Sequence, residues 1–504
     1  MTENAGNDWR GKVDFPGVPD MSYVDGIQAS HHDTGTVYVA FNNHKSGDFK
    51  PYILKSTDRG KSWTKISEGL PDKGSVYSIL EDPEDPELLF AGTEYGIFFT
   101  KDGGKHWIQL KKGVPTINVR DMEIQEREDD LVLGTFGRGF YVLDDITPLR
   151  AIKKSILSED GHLFSISDAY LYHERDPYGY SGKGFQGASF FAAKNPPLGP
   201  TFTYHLKETL RSPKEERRKK EKKLRDKGKD VPYPSLEELR NEKRSSKPFL
   251  IFTIRDSKGK VVRRLKRKGR KGIHRVHWDM RRPARSPVKL NRKEAAVPWA
   301  SKPRGYLVLP GTYRVTLKKY EDGKIEKLAG PKEFRLERLH HPRLSLEERK
   351  RLKAFEEKVA ELRRAVDGAN RYKGSLEKRV KHLKKAVRKT PQAKLSLRDT
   401  LDAIEHALAD IQIRLNGDPV KAKYRFEEKP SVAHRVHNIL RNLWRSSSGP
   451  TKTQKDSYRI AGKAFKRILK KMRRQRDRIK AVEDKMEEAG APWTPGRFPH
   501  WEGP

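Results

Sequence analysis

The sequence predicts a multidomain chain: an all-β partial propeller of about three blades, then an antiparallel β-sandwich, then an α-helical bundle or coiled coil. Three observations carry this expectation. An eight-residue phrase at 56–63 returns at 100–107. Strand signals joined by hairpin turns occupy 195–340, and apolar residues keep a three-four spacing through 345–490.

The repeated phrase has the form [Ser/Thr]-x-Asp-x-Gly-x-x-Trp: Ser56, Asp58, Gly60 and Trp63, then Thr100, Asp102, Gly104 and Trp107. Each copy follows a β-rich run, so it reads as a tight turn between antiparallel strands. The Asp accepts backbone N–H bonds across the turn, the Gly supplies positive φ, and the Trp packs beside it. Self-similarity at about 40–50 residues, with four strands per unit, marks a propeller. Inner strands are expected at 23–27, 75–79 and 118–122, and second strands at 36–40, 88–92 and 131–135. Third strands follow Gly96 and Gly139. In the third unit Leu143 to Pro148 replaces the turn phrase and reads as an exit. Propellers close with about four to eight blades. Three leave the ring unfinished, so the missing blades are expected from a longer precursor or a partner chain.

These phrases resemble Asp-boxes, the turn motif of BNR-repeat propellers found in sialidases, xyloglucanases and sortilin-type receptors. The stretch from Leu131 to Arg150 resembles the last blade of large bacterial BNR-repeat proteins labelled sortilin-like or glycosyl hydrolase. The resemblance implies a β-sandwich and helices after the propeller, and a periplasmic or secreted location. This chain departs from that pattern by lacking earlier blades and by its basic charge. No apolar signal core is seen near Met1, and no run of 18 apolar residues suggests a membrane span.

The net charge is +39 and cysteine is absent, which excludes disulfides and thiolate metal sites. The charge is uneven: residues 1–150 carry 17 Lys and Arg against 25 Asp and Glu, and 151–504 carry 90 against 43. A basic bias of this kind fits either a solvated surface or a polyanion partner.

Residues 151–194 read as a connector, with a turn-rich centre after Asp176 and glycines 179, 182, 184 and 187 too irregular for a phosphate loop. Strands are expected at 201–206, 249–254, 261–262, 273–278 and 312–317. Turns are expected at 256–259 and 321–324. The segment opened by Pro310 and Gly311 resembles the late hairpin of an immunoglobulin-like module. A charged insertion, 211–247, reads as an exposed helix or a disordered segment. His340, His341 and Pro342 form a linker.

Ser345 and Glu348 form a capping box. Behind it an apolar seam runs from Leu352 to Val387, interrupted only by Lys373, and Pro391 ends it. Further seams run from Leu397 to Leu415, Val432 to Leu443 and Tyr458 to Met486, closed by a tail at 491–504. Such stripes are the core of a bundle.

The Asp-box residues sit at the pole opposite the usual ligand face and read as turn staples. The other pole collects the starts of inner strands and the loops after second strands. Its ligand-face candidates are Asp25, Tyr77, Glu94, Tyr95, Arg120, Asp121 and Arg138. Paired carboxylates beside an Arg serve a glycosidase or a rim of ion pairs equally well, so no catalytic residue is assigned. His31, His32 and Asp33 invite a metal, but neighbouring strand residues point to opposite faces. No metal or cofactor is expected. The basic segments 261–285 and 463–480 match no nucleic-acid module. The function expected is a protein- or glycan-binding scaffold. The alternatives are an Asp-box glycoside hydrolase, if the chain is an enzyme, and a polyanion-binding scaffold.

Overall fold

The computed structural model describes residues 2, 4–172, 174, 193, 195–288, 290, 304–339, 344–446, 448–501 and 503. The centre of the predicted connector and the linker at 340–342 lie outside the described residues.

Three antiparallel meanders form the first region. The first sheet runs β1 (Tyr23–Ala29), β2 (Val37–Asn43), β3 (Asp48–Ser56) and β4 (Thr64–Lys65). The second runs β5 (Val76–Glu81), β6 (Leu89–Thr93), β7 (Gly96–Thr100) and β8 (Trp107–Gln109). The third has three strands, β9 (Val119–Gln125), β10 (Asp130–Thr135) and β11 (Phe140–Leu143).

The sheets stack face on face. Tyr38, Ile53, Val76, Leu89 and Trp107 share the core between the first and second. Phe90, Ile97, Val119, Met122 and Leu133 share the core between the second and third. The outer face of the first sheet, with Phe41, Tyr52 and Leu54, lies under Phe15, Val18 and Trp63.

Both turn phrases close by the chemistry their residues dictate. The Ser62 N–H donates to Asp58 Oδ1 at 2.8 Å, and the Gly60 N–H donates to Ser56 Oγ at 2.8 Å. In the second copy, His106 N–H donates to Asp102 at 2.9 Å and Gly104 N–H to Thr100 Oγ1 at 3.1 Å. Gly60 and Gly104 have φ of +74° and +100°. The third sheet lacks the turn phrase; there Asp145 accepts from the Thr147 N–H and hydroxyl just before the short helix α1 (Thr147–Ala151). Arg150 on α1 then clamps the second sheet to the third. Its Nε donates to Asp82 at 2.9 Å and its Nη1 to Asp129 at 2.7 Å.

After α2 (Lys154–Ser158), the second region begins earlier than the sequence reading placed it. Within the stretch read as connector, β12 (Gly161–Leu163) and β13 (Ala169–Leu171) already join sheets. They are followed by β14 (Thr201–Leu206), α3 (Pro213–Asp226), α4 (Leu236–Arg244), β15 (Phe249–Asp256), β16 (Val261–Arg267), β17 (Gly272–His277), β18 (Gly311–Glu321) and β19 (Lys324–Arg338). One sheet is ordered β12-β14-β17 and the other β13-β19-β18-β15-β16. They share a core containing Phe202, Trp278, Phe252, Val315 and Phe334.

The pairing is antiparallel except β13, which runs parallel to β19. A chain separation of more than 150 residues makes that crossover geometrically free. The charged insertion forms two helices with capping boxes at Ser212 and Ser235, joined by Arg217 and Glu242. Arg275 on β17 donates to the carbonyls of Asp144 and Asp145, each at 2.6 Å, so this region grips the exit of the third sheet.

The third region is α5 (Leu346–Val387), α6 (Ser396–Asn416), the short α7 (Pro419–Lys423), α8 (Val432–Arg445) and α9 (Lys452–Glu488). The predicted seams supply its core. Lys373 is buried and reaches Glu377 at 2.8 Å. The expected tail folds back on α9: buried Arg497 donates to Glu487 at 2.6 Å. Among the described residues no helix is long and apolar enough to cross a membrane.

Candidate functional site

One irregularity recurs at the same place in each of the first three sheets. The pairing of inner and second strands skips a residue between Val24 and Gly26, between Val76 and Ser78, and between the partners of Gly134 and Thr135. The skipped residues are Asp25, Tyr77 and Arg120. A β-bulge leaves one residue outside the ladder, bends the strand and re-aims that side chain. Three of the predicted ligand-face residues are therefore the bulge residues of their strands.

Two of these three meet. The Arg120 guanidinium lies 3.9 Å from the centre of the Tyr77 ring and 5.5 Å from that of Phe136. The Tyr77 hydroxyl donates to Glu94 Oε2 at 2.5 Å, and Asn118 Nδ2 donates to the same oxygen at 3.4 Å. Burial, reinforced by the Glu94 bond and charge, pushes the Tyr77 phenol up to about 12, although Arg120 opposes the shift. The phenol therefore stays a neutral donor across the physiological range. Asn118 Oδ1 is buried and has no hydrogen-bond partner among the described residues. An orphaned acceptor of this kind is costly in a dry site and available to a donor from a ligand.

The loops after the second strands ring this cluster. His44 lies with its ring 6.4 Å from that of Tyr77, and Lys45 Nζ sits 4.2 Å from the centre of the Tyr23 ring. Tyr95 and Phe136 are 47% and 68% exposed and Tyr23 is 50% exposed, a high value for aromatics on a packed sheet region. The surface thus combines aromatic faces, two cations stacked on them, and one carboxylate already engaged by Tyr77 and Asn118. Exposed aromatic faces offer flat apolar area, and a cation over a ring is held there by the ring's electrostatics.

Among the described residues no hydrogen bond, ion pair or ring contact joins the other candidates to this cluster. Asp25 is exposed on β1 at its bulge. Asp121 is exposed, and its carboxylate accepts from the Met122 N–H at 2.9 Å within its own strand. Arg138 is exposed in the loop before β11. The sequence reading missed His44, Lys45, Asn118 and Phe136. The rule that found Glu94 and Arg138, the loop after the second strand, applies equally to residues 44–47 in the first unit.

His32 Nε2–H donates to the Asp82 carbonyl at 2.9 Å, and His31 N–H donates to Glu81 at 2.7 Å. These residues tie the first sheet to the second. Buried Glu81 also accepts from Ser30 and Tyr38, whose phenol is driven upward by burial and by that bond.

No family model matches the sequence, and neither does any curated protein. The solved structures that the chain is similar to include propeller proteins. YCF48 bound to D1 peptide matches at 18% identity and TM-score 0.22, covering 28% of this chain and 43% of that one. The GH74 xyloglucanase from Xanthomonas campestris matches at 14% and 0.17, covering 21% and 17%. PorZ of the type-IX secretion system of Porphyromonas gingivalis matches at 14% and 0.21, covering 62% and 30%. The chain spans less than half the length of each.

Proposed function

We propose that this chain is a binding scaffold whose ligand face is the bulged pole of a partial Asp-box propeller, taking a protein or glycan ligand. The carrying observation is the coincidence of bulges at Asp25, Tyr77 and Arg120, with Arg120 stacked on Tyr77 beside exposed aromatics. We read residues 1–150 as about three blades and the next two sheets as an immunoglobulin-like sandwich. The helices of 345–490 then form an assembly element. In this reading the protein works outside the cytoplasm, and further blades come from a longer precursor or a partner chain.

Binding is favoured over glycoside hydrolysis because the one carboxylate in contact with Tyr77 and Asn118, Glu94, is already engaged by both. A glycosidase needs two carboxyl groups facing each other across the scissile bond, about 5–9.5 Å apart. The test is a glycan and peptide array with the full chain, paired with reducing-sugar release on the glycans that bind. Arg120→Ala should lower affinity for the selected ligand by about 10-fold, the worth of one well-placed cation–aromatic contact. Unchanged binding in Arg120→Ala, or release of sugar abolished by Glu94→Gln, removes the scaffold reading.

A further inference from the structure

A cleft of about 570 Å³ whose lining includes no residue of the first region lies between the second and third regions. It lies between the segments on either side of the 291–303 stretch and the facing sides of α5 and α8. Its walls carry Arg282, Arg285 and Arg304 from the sheet region and Arg363, Arg441 and His437 from the helices, with one carboxylate among them, Glu357 on α5. Its floor is apolar: Tyr306, Ala284, Ala360 and Leu440. The size falls in the range of small-molecule sites, about 300–1,000 Å³.

Five guanidiniums around an apolar floor is a costly arrangement unless something offsets their repulsion. Partial compensation comes from Glu357 in the lining and from carboxylates around it. Arg363 Nε donates to Asp367 at 2.7 Å, Arg285 Nη1 to Glu361 at 3.0 Å, and Arg304 lies 3.5 Å from Glu174. Arg282 reaches Glu357 only at 3.9 Å. Each guanidinium has five N–H donors and one carboxylate engages at most two, so most remain available. Arg282 Nε is buried with no hydrogen-bond partner among the described residues, and Arg441 forms no salt bridge among them. The excess charge is also felt by His437: partial burial first, then Arg363 and Arg441, hold its imidazole below the ordinary range.

We propose that this cleft binds a small organic dianion with a flat apolar body, a phosphate monoester or a dicarboxylate. The apolar part would lie on Tyr306, Ala360 and Leu440, and the anionic oxygens would meet the forked donors of Arg282, Arg285 and Arg441. Forked guanidiniums suit carboxylate and phosphate oxygens, which accept two parallel N–H bonds. This inference uses no residue of the propeller pole and stands or falls separately from the binding role given to that pole.

The test is calorimetric titration of the full chain with 1-naphthyl phosphate, naphthalene-2,6-dicarboxylate, inorganic phosphate and 2-naphthol, with NMR titration of His437. The first two should bind saturably, and which binds tighter decides between phosphate and dicarboxylate. Inorganic phosphate and 2-naphthol, each lacking half of the ligand, should bind at least 10-fold more weakly. Arg441→Ala should weaken the naphthyl anions about 10-fold, Arg441→Lys less. Arg474→Ala, which removes the same charge from an exposed position on α9, should leave binding unchanged. Occupancy should raise the pKa of His437, because the anion offsets Arg363 and Arg441.

Absence of saturable binding up to millimolar concentration overturns the proposal. So does an equal loss in Arg441→Ala and Arg474→Ala, which would mean diffuse attraction to a basic protein. An unmoved His437 during saturable binding would place the ligand elsewhere and overturn it too.

Discussion

The second and third sheets of the first region follow one sequence plan and meet different surroundings. In the second, every residue of β5, β6 and β7 is buried, because a sheet covers each face. In the third, β11 alternates: Tyr141 and Leu143 pack inward, while Phe140 and Val142 point outward and are exposed. Phe140 is 80% exposed. The repeat therefore specifies the sheet, and its neighbours decide how much of it is buried. The outward face of the last sheet is apolar along β11 and acidic along β9, at Asp121 and Glu123, whereas a sheet buried on both sides is apolar on both.

The largest contrast should come from matched Phe→Ala changes. Phe90 lies fully buried between the two sheets, so Phe90→Ala should cost about 3–5 kcal/mol in urea unfolding. Phe140→Ala should cost within about 0.5 kcal/mol, as for other exposed positions. A cost near that of Phe90 would mean the outer face of the third sheet is covered in solution, by a second copy or by further blades, and the comparison would collapse.

Glycine substitutions sharpen the same contrast at smaller scale. Gly92 and Gly134 hold equivalent places in β6 and β10. A Cβ on Gly92 would meet Ser78 Oγ at 2.3 Å and the Val119 carbonyl at 2.8 Å, the latter belonging to the next sheet. At Gly134 the nearest atom is Asp121 Cβ at 3.5 Å, an ordinary contact. Gly92→Ala should therefore destabilise by about 1–3 kcal/mol, the range for overpacking. Gly134→Ala should be neutral or slightly stabilising, because the loss of chain entropy in the unfolded state favours alanine there. Equal effects in thermal melts would show that no neighbour distinguishes the two sheets.

The local parts of this structure could be read from sequence. The turn phrases closed as their Ser, Asp and Gly require, and the seam from Val359 to Val387 became a helix core. The candidate site was half legible. Counting strands places Tyr77, Glu94 and Arg120 at one pole. The bulges that aim Tyr77 and Arg120 depend on the register of two strands, which no single segment encodes. The cleft between the second and third regions left no trace, because its arginines come from segments as distant as Arg282 and Arg441 and look in sequence like a solvated basic surface. β12 and β13 were hidden for a related reason: three-residue strands carry too little periodicity to stand out, and β13 finds its partner more than 150 residues away.

Acid should separate the turn of the second sheet from the exit of the third with opposite signs. Burial tends to raise the Asp102 carboxyl, but bonds from His106 and Thr100 outweigh it and hold the group at about 2. A folded-state value below the unfolded one, about 3.9, gives stability that is present above pH 4 and is lost as the pH falls towards 2. Asp102→Ala should thus cost about 1 kcal/mol at pH 6, the worth of its turn bonds, and progressively less below pH 4 in urea melts. A deficit constant from pH 6 to pH 2 would assign the turn to packing of Trp107 alone.

Asp130 on β10 should show the smallest effect and the reverse sign. Burial, then the charges of Asp144, Glu128 and Asp145, raise its carboxyl, although the Asp145 N–H bonds to it at 2.9 Å. A raised folded-state value means the folded chain holds this proton more tightly. The contribution is favourable below the unfolded value and is lost as pH rises through the folded one. Asp130→Asn keeps an acceptor for the Asp145 N–H and removes the charge, so it should raise the melting temperature at pH 7 and leave it unchanged at pH 3. If the substitution lowers stability at pH 7, the carboxylate is stabilising the exit turn. The crowding of acidic groups where the repeat ends would then be a feature of its closure, as in the second sheet, rather than a cost of leaving the stack.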